Sequence, residues 1–467
     1  MRKLLLIGLA QALLLLAGCG GGGSGSLATT SNNNGGGGGG GGTSSGGGQS
    51  ADSVNLIVDS GPQGNDVDTP FITITVCAPG STSNCQQIDH IEVDTGSYGL
   101  RIMSSVLSSS LASALQQETV SGGNPVVECA QFADGFSWGP VKTADVQIAG
   151  ESAASVPVEV IGDPAYLQSS SASGTTTSEI PSGCSSSGPE EDTVASFGAN
   201  GIIGIGFFSS DCGSACALSP TNAQNPGFYY ECPATGWSPG NPCNEIALAE
   251  SAQVTNPVVF FQTDNNGVIV ELPAASEGVS AISGSLIFGI GTQSNNSVTA
   301  KTLLTAGTPY DTINTTYTTT TGQQQFLPYS YFDTGSNAYY FADGGIPSAT
   351  GCSGYPGYNS SNPDAWYCPG SELHLNATVT GQNGTQSSVS FSIGNTYTLF
   401  NTYTGSVFYD LGANSGVSVT TCDSQTKAVG DTSCAFDFGF PFFLGRNVFI
   451  AFAGANTAWG MGPYVAY

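Results

Sequence analysis

The chain is poor in positive charge: seven Lys and Arg stand against 34 Asp and Glu in 467 residues, a formal net charge of −27. Arg2 and Lys3 are at the N-terminus, which leaves five basic residues for everything beyond it. A nucleic-acid surface displaces counterions with clustered Lys and Arg, and no such cluster exists here. Attraction to anionic lipid headgroups is excluded on the same ground. Histidine is scarcer still, with only His90 and His374, and there is no Cys-x-x-Cys. No metal site and no cofactor are therefore expected. No Gly-x-Ser-x-Gly elbow adjoins either histidine, so Ser-His-Asp chemistry is disfavoured. Only 9% of residues are charged, too few to face many amphipathic helices with polar groups. Many short strands and turns suit such a composition, which favours an all-β class with room for two domains.

The N-terminus reads as an address. Met1-Arg2-Lys3 precedes an apolar stretch from Leu4 to Ala17, interrupted by Gly8 and Gln11. At about 14 residues this is short for a membrane span and fits a secretory signal over 1–18. Leu16-Ala17-Gly18-Cys19 resembles a bacterial lipoprotein cleavage box, which implies lipidation of Cys19 and anchorage to a membrane. Gly20 after it favours the outer membrane. Residues 19–52 are Gly- and Ser-rich and form a tether, with a mean span of roughly 30 Å. The strong acidity suits solubility in an extracytoplasmic setting.

Thirteen cysteines less Cys19 leave twelve, so six disulfides are expected in an exported chain. Short separations suggest Cys77–Cys85, Cys352–Cys368 and Cys422–Cys434. Cys129 with Cys184, and two bridges among Cys212, Cys216, Cys232 and Cys243, complete the set.

An internal repeat organises the rest. Val93-Asp94-Thr95-Gly96-Ser97 and Phe332-Asp333-Thr334-Gly335-Ser336 are close copies. Ile202-Ile203-Gly204 follows the first, and Phe443-Leu444-Gly445 follows the second at nearly the same distance (204 − 94 = 110; 445 − 333 = 112). The spacing predicts two similar β lobes, 53–253 and 254–467, with Asp94 and Asp333 facing one another. Elsewhere, Val258–Thr263 and Val268–Leu272 read as a hairpin turned at Asn266-Gly267.

With these motifs the chain resembles the pepsin-type aspartic peptidases over about residues 54–467, and a family of bacterial lipoproteins with this arrangement would be a closer relative. Phe71–Val76, Asn200–Gly206, Gly284–Gly289 and Leu444–Ile450 are similar to family segments. The resemblance implies a bilobed pepsin-like fold and catalytic roles for Asp94 and Asp333. Thr95 and Thr334 would cross-link the two loops, Gly96 and Gly335 would bring N–H groups to the carboxylates, and Ser97 and Ser336 would donate to the outer carboxylate oxygens. The family's cleft is covered by a hairpin flap, here Gln131–Gly139, with Phe132, Asp134 and Gly135 near its tip. Phe132 stands where the family has a Tyr, and Arg101 where it has that Tyr's Trp partner. Arg101 or Trp138 would then contact substrate, beside a relaxed flap, or Arg101 would pair with an acid such as Glu92. The function expected is an envelope-anchored aspartic endopeptidase acting on polypeptides as a monomer. The alternatives are a surface lipoprotein that binds ligands in the same cleft and cuts poorly, or a structural surface module.

Overall fold

The computed structural model describes residues 52–166, 180–234, 241–307, 312–348, 352, 366–415 and 434–467. The signal segment, nearly all of the tether with Cys19, and Cys422 lie outside the described residues.

Strand periodicity places the first elements. In Pro70–Cys77 (β2, after β1 at Ser53–Val58) Ile72, Ile74 and Val76 are buried while Thr73 is exposed, the alternation of a strand with one face on a core. Cys85–Asp94 (β3) and Tyr98–Met103 (β4) flank the first Asp-Thr-Gly-Ser loop. β2, β3, Gly201–Ile205, β4, Glu151–Ile161 and Phe136–Ile148 hydrogen-bond in that order. Phe136–Ile148 also pairs with β2, so the six strands close into a barrel. Closure leaves these strands without open edges.

The second half repeats the arrangement around Asp333. β3 runs parallel to Gly201–Ile205, which is antiparallel to β4, which is parallel to Glu151–Ile161. Gln324–Phe332 runs parallel to Asp437–Phe438, which is antiparallel to Tyr339–Tyr340, which is parallel to Gly412–Ala413. Order and sense are the same in both halves. The protein is all-β and bilobed, as the repeat predicts. β1 pairs with Ile282–Phe288, and that strand continues into Gly267–Glu271, Asn447–Ala451 and Tyr464–Ala466, a sheet that joins the lobes.

Two expectations fail at this level. Val258–Thr263 is not a hairpin strand, because Pro257–Phe260 is a 3₁₀ turn. Asn256 accepts a hydrogen bond from the Val258 N–H, and Pro257 supplies the fixed φ of a helical first position. Gly445 does not occupy the place of Gly204. Register sets Asp94 opposite Gly204 and Phe332 opposite Phe438, so Gly439 stands opposite Asp333, at 439 − 333 = 106 residues. Gly445 lies in a left-handed turn (φ 73°) beside Ala274.

The second lobe packs aromatic rings under its Asp loop: Phe332 lies 5.0 Å from Phe438 and 4.5 Å from Phe442, centroid to centroid. Five disulfides form among the described residues: Cys77–Cys85, Cys129–Cys184, Cys212–Cys216, Cys232–Cys243 and Cys352–Cys368. Cys77–Cys85, Cys129–Cys184 and Cys352–Cys368 are expected pairs, and Cys212–Cys216 and Cys232–Cys243 resolve the pairing left open among those four.

Candidate functional site

The two Asp-Thr-Gly-Ser loops meet at the ends of equivalent strands and are stitched together by their threonines. Thr95 N–H donates to Thr334 Oγ1 at 3.0 Å, and Thr334 N–H donates to Thr95 Oγ1 at 3.0 Å. The hydroxyls donate onward across the lobes, Thr95 to the Phe332 carbonyl (3.0 Å) and Thr334 to the Val93 carbonyl (2.6 Å). Four buried hydrogen bonds thus fix one loop on the other. The glycines follow from the same closeness. Gly96 N–H donates to Asp94 Oδ1 at 2.7 Å and Gly335 N–H to Asp333 Oδ1 at 2.8 Å. A Cβ on Gly96 would lie 2.5 Å from Asp333 Cγ, and one on Gly335 would lie 2.7 Å from Asp94 Oδ1. Each carboxyl therefore sits against the other loop's glycine, where no side chain fits.

The serines differ. Ser336 Oγ is within hydrogen-bond distance of Asp333 Oδ2 (2.9 Å) and also of Asp437 Oδ2 (2.6 Å). Ser97 Oγ is buried without a hydrogen-bond partner, as is Asp94 Oδ2, so the expected bond from Ser97 is not formed. A physical reason lies in the register: Ile202 holds the place in the first lobe that Asp437 holds in the second, and an isoleucine cannot orient a hydroxyl. Burial, then the nearby Asp94 and Asp437, pushes the Asp333 carboxyl well above the usual carboxylate range. Glu92, two residues before Asp94, is raised likewise by burial and then by Asp94.

Val126–Gln131 and Phe136–Ile148 form the hairpin expected of the flap, with Gln131 opposite Phe136. It is strapped down rather than relaxed. Cys129 is bonded to Cys184, Phe136 N–H donates to the Pro189 carbonyl (3.0 Å), and Glu191 N–H donates to the Phe136 carbonyl (2.8 Å). A Cβ on Gly135 would lie 2.6 Å from the Pro189 carbonyl oxygen. Burial, then the half-buried Asp134 beside it, pushes Glu191 up to about 9. Phe132 is buried in an apolar cluster, edge-on to Phe197 at 5.7 Å and 5.9 Å from the Arg101 guanidinium carbon.

Arg101 and Trp138 are 3% and 0% exposed, which corrects their expected substrate contact. Arg101 pairs not with Glu92 but with Glu128 (2.7 Å), Asp211 (3.3 Å) and Glu159 (3.4 Å), and donates to the Tyr98 carbonyl (3.0 Å). One cation among three buried carboxyls favours protonation of some of them, and Glu159 and Asp211 are both raised, by burial first and Glu128 next.

Asp437 escaped the sequence reading. Its signal was present, since it is the one charged residue from Thr432 to Gly445, inside a run of phenylalanines.

Residues 48–467 match the family described as "Protein of unknown function (DUF3443)". Comparison with curated proteins finds no match. Among solved structures, the chain is similar to an aspartic proteinase from Irpex lacteus at 14% identity and a TM-score of 0.45, over 89% of this chain and 96% of that one.

Proposed function

We infer that this chain, which belongs to the family just described, is an envelope-anchored aspartic endopeptidase whose Asp94 and Asp333 share one proton. The observation that supports this reading is the reciprocal threonine bonding, which fixes the two loops on one another with both carboxyls buried. Two such carboxylates do not both ionise readily. The ionised one takes a proton from a water between them while the protonated one donates to the carbonyl oxygen of a peptide bond. The water oxygen bonds to the carbonyl carbon, giving a gem-diol. Collapse of the diol breaks the C–N bond, the amine takes a proton, and the dyad returns with its single proton. The substrate is a polypeptide and no cofactor takes part. The Leu16–Cys19 box and the Gly-rich tether support anchorage through lipidated Cys19, at the outer membrane, of a monomeric body.

Incubation with a peptide library from about pH 3 to 7 tests this, with products read by mass spectrometry. Cleavage by the wild type and its loss in Asp94→Asn and in Asp333→Asn is expected. A wild type that cuts nothing and binds no statine-type inhibitor contradicts it. The strapped hairpin and the 0% and 2% exposure of Asp94 and Asp333 favour a second reading, a cleft that binds without cutting. Inhibitor binding without cleavage would select that reading.

A further inference from the structure

The contact of Ser336 with two carboxyls poses a question of proton count. A hydroxyl has one proton and donates to one acceptor. Its Oγ lies 2.9 Å from Asp333 Oδ2 and 2.6 Å from Asp437 Oδ2, so one of the two contacts needs a proton from the carboxyl side. Without it, two anionic oxygens would flank one proton. The environments decide which carboxyl supplies it. Asp333 Oδ1 accepts the Gly335 N–H at 2.8 Å, a bond that favours the ionised form. Asp437 Oδ1 is buried with no partner, and an anion spread onto an unsolvated oxygen is costly where a neutral acid is not.

The groups around Asp437 agree. Asp94 approaches from β3 and Asp333 from the end of Gln324–Phe332, both carboxyls. Its register neighbours on the flanking strands are Tyr331 and Tyr340, and no ion pair among the described residues involves Asp437, Asp333, Asp94 or Glu92. Burial, then Asp94, pushes the Asp437 carboxyl up against the opposing pull of the Ser336 contact.

We propose that Asp437 is a positioning residue for the dyad: protonated on Oδ2, it donates to Ser336 Oγ and so fixes the Ser336 hydroxyl proton on Asp333 Oδ2. The role rests on the peptidase reading above. It makes the lobes unequal, because Ile202 takes this place in the first lobe and Ser97 is left unoriented. Ionisation of Asp437 removes the donor, frees the Ser336 hydroxyl to turn away from Asp333, and adds a second negative charge beside the dyad.

Asp437→Asn separates this from a merely structural role, since the amide N–H donates to Ser336 at every pH. The upper limb of the kcat/KM profile is expected to move to higher pH by about one unit or more in this variant. Asp437→Leu, which has no donor, is expected to lower kcat about tenfold with KM little changed. An Asp437→Asn profile that superimposes on wild type overturns the proposal. A second readout needs no activity. Difference infrared spectra at neutral pH, wild type minus Asp437→Asn, are expected to show a protonated carboxyl C=O band that shifts in D2O. That band in a protein that cuts no peptide keeps the protonated Asp437 and sinks the peptidase reading; its absence overturns the proposal whatever the activity. If Asp437→Asn does not fold, Ser336→Ala serves instead, and the band of a lost hydrogen bond should move to higher frequency; an unmoved spectrum overturns the proposal.

Discussion

Thr334→Val probes the joint between the lobes with little change of shape. The hydroxyl it removes accepts from the Thr95 N–H and donates to the Val93 carbonyl, both buried. Valine fills the same space but leaves that N–H and that carbonyl without partners. At about 1–3 kcal/mol for each buried group left unsatisfied, the loss is about 2–6 kcal/mol. That is a large share of the roughly 5–15 kcal/mol that stabilises a typical domain. Thr95→Val removes the mirror-image pair, to the Thr334 N–H and the Phe332 carbonyl, and should cost a similar amount. Thr334→Ser keeps the hydroxyl and should recover most of the stability. Urea denaturation with disulfides intact measures all three. A Thr334→Val protein within about 0.5 kcal/mol of wild type would refute the reasoning, because surface substitutions already scatter that much.

Three further outcomes follow from buried charge and cross-links. Asp66, pushed by burial and then Asp59 up to about 7, and Glu191, up to about 9, hold protons in the folded state that the unfolded chain releases near pH 4. Their stabilisation is complete below that range and is lost as pH rises through 7 and 9, so Tm should fall across this window and Glu191→Gln should flatten the fall; a Tm that is highest above about pH 8 contradicts the sign. Arg101→Met strands Glu128, Glu159 and Asp211 and should destabilise by about 3–5 kcal/mol at neutral pH and less in acid, read as urea midpoints; equal midpoints at both pH values would count against it. The Cys129→Ser, Cys184→Ser double variant should lose about 2–4 kcal/mol and exchange amide protons faster over 126–139, and unchanged exchange would show that the hairpin is not held by this bond.

The sequence made the two Asp-Thr-Gly-Ser loops legible because their chemistry is local and repeated. Three of the five observed cysteine pairings were legible too, two of them from short separations along the chain, while the pairing among Cys212, Cys216, Cys232 and Cys243 was not. What stayed hidden depends on contacts distant in sequence or on an exception to a pattern. Arg101 finds Glu128 and Asp211 at separations of 27 and 110 residues, and no local rule selects them over Glu92, which is nearer in sequence. The run Val258–Thr263 has the composition of a strand, but Asn256-Pro257 starts a turn before strand pairing can begin. Gly445 follows two bulky apolar residues as Gly204 does, whereas the true counterpart, Gly439, follows Asp437-Phe438. The residue that breaks the apolar pattern is the one that meets Asp333 through Ser336.

The most direct measurement is the peptidase activity of Asp94→Asn, Asp333→Asn and the double variant, compared under one set of conditions. Two carboxyls that act as one unit give single variants as inactive as the double variant, because either change removes the shared proton. A single variant that keeps more than about a tenth of wild-type activity, or losses that multiply in the double variant, would contradict a shared-proton dyad.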